Sequence, residues 1–257
     1  KHICRSGFGG KSNPEDYPLS NKADEVDTLL VFDNVLIPWE DVLFYQHTKA
    51  ATFIRGTLHR YSALPFIERI LHMSDLMIGT ALHNVRQTGL ENQQAVREKL
   101  ATLICYREGI DAHITAAISN AQTSPGGLLM PNQSFLYTGR VHACSQLPKM
   151  IHLARELCGG QICVTPNFAD FDNSETEPWL KKFYSINDNW SSEDRRRLLA
   201  FGRDLLNSSY AGHKLTFQLF AQSAPFAHLN AVYNNFDFSK PLNFVKKSAG
   251  LSDKVMK

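Results

Sequence analysis

The chain has 257 residues, 43% of them hydrophobic and 20% charged, with a formal net charge of +2. That length and apolar content suffice to bury a core, in one large domain or two smaller ones. The near-balanced charge lacks the basic excess of a nucleic-acid-binding face, and no apolar run approaches the roughly 18 residues of a membrane span. Five cysteines, Cys4, Cys105, Cys144, Cys158 and Cys163, are odd in number and scattered. With no signal peptide at the start, this predicts a reduced, cytoplasmic protein. Lys1 stands in place of a start methionine and residues 2–5 read as the middle of a strand, so the chain is expected to be a fragment.

In chain order, glycines and prolines between Gly7 and Pro18 mark a loop. Apolar alternation then predicts strands at residues 28–32 and 35–37 around an Asp33-Asn34 turn, and a further strand at 42–45 after the Pro38-Trp39-Glu40-Asp41 turn. From about residue 48 the apolar period becomes helical. A long helix is expected over 59–88, kinked or restarted at Pro65 and ended by Gly89, and a second over 92–122, broken by Ser124-Pro125-Gly126-Gly127. A third spans 132–158, with Pro148 inside it, and an irregular acidic stretch follows at 167–179. A fourth starts at Ser191 or Ser192, with Glu193 and Asp194 in its first turn, and runs past Tyr210 to Ala221. Residues 1–47 thus read as the tail of a β-domain, and 48–257 as a helical bundle of antiparallel long helices.

Few constellations in this frame carry chemistry. The Glu-x-x-His pairs of a di-iron bundle are missing, since Glu68 and His72 are four apart and Glu108 and His113 five apart. No Cys-x-x-Cys, nucleophile elbow, Walker loop or Gly-x-Gly-x-x-Gly occurs, so no metal ligand or catalytic residue is assigned. Two clusters remain. Cys158-Gly159-Gly160 closes the third helix. Gly159 can adopt the left-handed conformation of a C-cap, and two glycines in a row also leave bare backbone on which a phosphate or adenine can lie. Ser208-Ser209-Tyr210-Ala211-Gly212-His213-Lys214 gathers a hydroxyl, an imidazole and an ammonium, or else marks a break between two helices.

The run from Asp24 to Val42, with its acids, strand residues and Ile37-Pro38-Trp39-Glu40 turn, resembles the signature of the 4-hydroxyphenylacetate 3-monooxygenase oxygenase component and its relatives in pyoverdine-chromophore biosynthesis. Ile78-Gly79-Thr80-Ala81, Glu98-Lys99-Leu100, Cys158-Gly159-Gly160 with Thr165-Pro166, and Ser209-Tyr210-Ala211-Gly212-His213 follow in the family's order, over the family's second half only. The resemblance implies a mainly α, acyl-CoA-dehydrogenase-like C-terminal four-helix bundle preceded by the end of a β-domain. It implies a two-component monooxygenase that takes reduced FAD from a separate flavin reductase and uses O2 to hydroxylate a small phenolic substrate, assembled as a homo-oligomer, typically a tetramer. Glu156, Gly159 and Gly160 become candidate FAD contacts, with Ser209, Gly212 and His213 beside them. The family's substrate-binding arginine, tyrosine and histidine lie in its first half, so the catalytic residues are not assigned to this chain.

Two rivals remain open. His59-Arg60-Tyr61-Ser62 resembles the start of a motif in dehydratases acting on 4-hydroxybutyryl-CoA, but Leu64-Pro65-Phe66 follow where those enzymes carry a cluster-ligating cysteine. The chain could also be an oligomerisation bundle without activity in isolation.

Overall fold

A computed structural model of the chain describes residues 1–5, 12–221 and 225–252. The amino-terminal part holds a strand, β1 (His2–Cys4), a short helix, α1 (Pro18–Ala23), and a second strand, β2 (Thr28–Leu30). β1 and β2 pair antiparallel, His2 opposite Leu30 and Cys4 opposite Thr28. The hairpin expected between 28–32 and 35–37 is not formed, and 42–45 is not a strand. The turn itself is present, with Asn34 at φ 51°, but Leu36 is 90% and Leu43 95% exposed. A ribbon gains little from another strand unless a layer covers its apolar face, and among the described residues none covers these side chains.

The helical part begins with α2 (Thr48–Gly56), α3 (Leu58–Gln87) and α4 (Gln94–Ser119). A small hairpin, β3 (Gln122–Thr123) with β4 (Leu129–Met130), turns at the predicted Ser124 to Gly127 break. α5 (Gln133–Cys158) follows, then three short helices, α6 (Gln161–Val164), α7 (Phe168–Phe171) and α8 (Glu177–Tyr184), of which α7 and the start of α8 fall in the stretch expected to be irregular. The chain continues through α9 (Ser192–Asn207), α10 (Ser209–Phe220), α11 (Pro225–Asn235) and α12 (Ser239–Ala249).

Local chemistry explains the main boundaries. α3 runs uninterrupted through Pro65 and ends where Gly89, at φ 69°, and Leu90 donate to the carbonyls of Arg86 and Val85 at 3.2 and 2.8 Å, which satisfies the last orphan acceptors. Asn132 caps α5 by accepting from the amides of Ser134 and Phe135 at 3.0 and 3.3 Å. The expected fourth helix is two. Ser208 is extended, at φ −87° and ψ 174°, and its hydroxyl accepts from the Ala211 amide at 3.0 Å, so it stops α9 and caps α10.

α3, α4 and α5 pack around one core with α9 against them; Ile67, Ile70 and Met77, Leu103 and Ile110, Leu136 and Leu147, and Leu199 and Leu206 are all buried there. α4 and α5 approach closely at Gly139, where a Cβ would stand 2.6 Å from the Cβ of His113. α9 also anchors the amino-terminal segment. Tyr17 gives α1 no side-chain cap, and the fully buried carboxylate of Asp204 takes that role, accepting from the amides of Leu19 and Ser20 at 2.7 Å each and from the Ser20 hydroxyl at 2.5 Å. Replacing Asp204 with Asn weakens this charge-assisted set, and about 2 kcal/mol of unfolding free energy should be lost. A urea melt of Asp204→Asn reads it directly; a midpoint equal to wild type would remove Asp204 as the anchor.

Candidate functional site

The third long helix delivers its glycine pair to the surface. Gly159 sits at φ 73° and ψ 173°. This is the mirror-extended region rather than the left-handed helical closure expected, and it is essentially restricted to glycine. Its amide donates to the carbonyls of Arg155 and Glu156 at 3.0 and 3.2 Å. Gly160, at φ −66° and ψ −19°, opens α6 without strain. A Cβ added to either glycine would meet nothing within 4 Å, so the outer side of the turn is open backbone.

Behind the turn lies a feature the sequence reading did not anticipate. Arg195 of α9 is only 3% exposed. Its Nη1 donates to Asn84 Oδ1 and Gln87 Oε1 at 2.7 Å each, and its Nη2 donates to Gln161 Oε1. Asn84 Nδ2 reaches on to the Leu157 carbonyl at 2.7 Å. A guanidinium is thus held beside the carboxyl end of α5, where the helix dipole favours positive charge. Burial lowers its pKa from the ordinary value, but a guanidinium keeps its proton in proteins. Arg195 shares an i, i+4 face with the apolar Leu199, which signals that it faces the core but not which groups it meets there. The neighbouring Cys158 thiol is pushed up to about 12 by burial, so it stays protonated and inert.

Glu156, one turn before the pair, is exposed, with its carboxylate 3.0 Å from Lys99 Nζ and 3.6 Å from His152 Nε2. The hydrogen bond from Lys99 holds it below the usual carboxylate range, so it is an anion and an acceptor.

The other three candidates lie around the start of α10. Ser209 is its first residue, and a Cβ at Gly212 would meet open space. His213 is paired through Nε2 to Asp27 and lies with Nδ1 3.7 Å from Asp24, while Lys214 Nζ stands 2.6 Å from Glu25. The acids between Asp24 and Asp27 therefore clasp α10, with Arg5 pairing to Asp24 from the other side. Gly212, His213, Thr216, Phe217 and Phe220 line a shallow, mostly apolar cavity of about 440 Å³ beside Asp27.

The structure therefore sorts the predicted residues into two groups: Glu156, Gly159 and Gly160 at the end of α5, and Gly212 and His213 at the cavity. The junction near Ser209 joins them, since Arg155 donates to the Leu206 carbonyl at 3.1 and 2.5 Å and Asn207 reaches Cys163 Sγ at 3.3 Å. His59, of the dehydratase-like motif, has Nδ1 3.2 Å from the Tyr137 hydroxyl and stacks on His228. Arg60 donates to the Pro131 carbonyl at 2.5 Å. Among the described residues no group of three His, Cys, Asp or Glu side chains is placed to hold a metal ion, and no helix is long and apolar enough to cross a membrane.

The chain matches the models of one family over nearly its whole length. The model of the 4-hydroxyphenylacetate 3-hydroxylase C-terminal region matches residues 48–250, and that of the N-terminal region matches residues 1–44. The chain belongs to the 4-hydroxyphenylacetate 3-hydroxylase family. It is 33% identical over 184 residues to the oxygenase component of a 4-nitrophenol 4-monooxygenase/4-nitrocatechol 2-monooxygenase from Rhodococcus opacus, over 70% of this chain and 34% of that protein. It is 24% identical to the 4-hydroxyphenylacetate 3-monooxygenase oxygenase component of Thermus thermophilus, over 98% of this chain and 53% of that one.

Among solved structures, an oxygenase component of 4-hydroxyphenylacetate 3-monooxygenase complexed with FAD superposes with a TM-score of 0.89 at 23% identity, over all of this chain and 54% of the other. An oxygen-tolerant archaeal 4-hydroxybutyryl-CoA dehydratase from N. maritimus superposes with a TM-score of 0.86 at 19% identity, over 96% and 49%. The fold is thus the mainly α, acyl-CoA-dehydrogenase-like bundle expected, and the chain spans a third to a half of the length of these relatives.

Arg195→Met leaves three amide oxygens without their donor, those of Asn84 and Gln87 buried, and a loss of about 3–5 kcal/mol in unfolding free energy is expected. Hydrogen exchange should accelerate at the amides of residues 157–165 before the rest of α5. Uniform exchange across α5 would show that the cage does not support the turn.

Proposed function

We propose that this chain is part of the oxygenase component of a two-component aromatic hydroxylase, which uses reduced FAD from a separate reductase and O2 to hydroxylate a small phenol ortho to its hydroxyl. In this reading residues 48–257 contribute FAD binding and oligomerisation, and residues 1–47 are the end of a β-domain. The observation that carries it is the open Gly159-Gly160 backbone, braced from behind by the Arg195 cage, in a family with a member structure complexed with FAD.

The residues fit the adenosine-diphosphate part of such a cofactor. Two glycines with empty space over their α-carbons let a ligand rest on the main chain. Glu156, held anionic by Lys99, accepts from ribose or adenine donors and repels a diphosphate, which assigns it to the nucleoside end. Ser209, Gly212 and His213 flank the second surface. FAD when bound supplies the oxygen chemistry, and the protein shields it from water and positions the ring. The substrate-positioning groups belong to the rest of the protein, and the isolated chain is expected to be inactive.

A homotetramer is the assembly we propose. Its support is the apolar surface this chain leaves in water: Leu36, Trp39, Leu43, Phe226, Tyr233 and Phe244 are each more than half exposed, and large apolar side chains left in water in such number offer surface for other subunits to cover. The free cysteines suit a reducing cytoplasm. A CoA-thioester dehydratase gains only the shared fold, because Leu64, Pro65 and Phe66 offer no thiolate to a cluster.

Full-length protein supplied with a flavin reductase should form catechols from members of a phenol panel, in an oxygen-dependent reaction; no coupled hydroxylation of any phenol would end this reading. Gly160→Val isolates the binding surface. Its backbone is unstrained and its Cβ meets open space, so stability should change by no more than about 0.5 kcal/mol. FAD affinity should fall at least about tenfold, the cost of pushing a ligand about 1.4 kcal/mol off the backbone. Unchanged affinity in a titration would return the glycine pair to a simple helix stop.

A further inference from the structure

We propose that Arg140 and His228 form a binding site for one small monovalent anion, a carboxylate or a halide, between α5 and α11. Arg140 is fully buried. Its Nη2 donates to the Gln218 carbonyl at 2.7 Å, and its Phe66 neighbour offers only a ring face 5.8 Å from Cζ. Nε and Nη1 have no hydrogen-bond partner among the described residues. Arg140 also lines a cavity of about 80 Å³, together with Val141, Cys144, Ser145, His228 and Leu229. His228, 2% exposed, also lines it, and its Nε2 is unpartnered.

The missing component is negative charge. Among the described residues no carboxylate pairs with Arg140. The groups around it are neutral: burial raises the pKa of both the Cys144 thiol and the Tyr106 phenol. His228 is held down at about 4, by burial first and then by Arg140 and His59. Arg195 and Arg60 are compensated by two or three dipoles that the chain itself supplies; Arg140 has a single carbonyl, and an anion in the cavity would supply the missing acceptors and the missing charge together. The volume is two to three times the roughly 30 Å³ share of a water molecule, which admits chloride, formate or acetate and excludes an aromatic acid. One bound anion satisfies the two orphan guanidinium N–H groups and can accept from His228 in the Nε2–H tautomer.

The test uses the full-length protein at constant ionic strength, with sodium gluconate, whose anion is too bulky for the cavity, as background. Replacing gluconate by formate, acetate or chloride should raise the melting temperature saturably, by about 3–6 °C at full occupancy; comparing the three separates a carboxylate site from a halide site. Arg140→Met, which removes the charge and fills the space with an apolar chain, should melt at a temperature independent of the anion. Should that variant fail to fold, crystals of the wild type grown in bromide decide the matter, because an anomalous peak must lie within hydrogen-bond distance of Arg140 Nε or Nη1. A wild type indifferent to all three anions, an equal response in Arg140→Met, or no bromide peak at that position would each overturn the proposal.

Discussion

A guanidinium stripped of water has to be solvated by the protein, and Arg195 is solvated by dipoles. Asn84 and Gln87 from α3 and Gln161 from α6 each point an amide oxygen at it. No one amide matches a carboxylate in strength, but three from two elements fix the position of α9 against both at once. Asn84 then carries the constraint to the last turn of α5 through the Leu157 carbonyl. This matters most for the glycine turn, which has no side chains with which to hold itself. Its geometry is borrowed from its flanks: Leu157 on one side, Gln161 on the other, and Arg155 fastened to the Leu206 carbonyl. A neutral cage also leaves the charge of Arg195 unquenched beneath an exposed main-chain surface, where in low dielectric it acts over longer distances than in water.

The amino-terminal segment is joined to the helices by a different set of contacts, in which charged side chains meet backbone groups and opposite charges. Asp204 caps α1, Arg203 donates to the carbonyls of Thr165 and Asp16 at 2.9 and 3.2 Å, and Arg196 bridges Glu193 and Glu15 at 2.7 and 2.8 Å. Glu193 is accordingly drawn down to about 2, first by its hydrogen bond from Arg196. The Asp24 to Asp27 acids then meet His213 and Lys214. What looked in sequence like a plain turn signature and a plain helix break is one electrostatic clasp, formed by two segments almost two hundred residues apart.

The sequence carried the helices well and the ribbon poorly, for the same physical reason. Helical hydrogen bonds are local, so a periodic face with Asn132, Ser191 or Gly89 at its end states most of what the element needs. Strand pairing depends on a distant partner. The alternation over 28–37 was real, yet β2 pairs with His2–Cys4 instead of the segment just after it. At the site, Gly159 and Gly160 were legible because glycine is a backbone statement. The Arg195 cage was not, since its partners lie 34 to 111 residues away and nothing in an amide's sequence context announces which charge it will meet. Ser208 shows an intermediate case: both readings of its cluster were written in the residues, and only the extended ψ of 174° decided that two helices meet there.

Four buried arginines among the described residues show how differently a protein can meet the same charge. Arg196 receives two carboxylates, Arg195 three amides, and Arg60 a carbonyl and the Gln122 amide at 3.1 Å. Arg140 receives one carbonyl and a ring face. Arg196 and Arg195 are met by partners that the chain itself supplies, carboxylates for one and amides for the other. Arg140 opens on a cavity, and a cation left half-satisfied beside a void favours an anion there over any neutral occupant, since water restores hydrogen bonds but not charge balance. Three buried guanidinium charges, those of Arg60, Arg140 and Arg195, thus meet neutral groups and no carboxylate among the described residues, while the net charge of the chain stays close to zero.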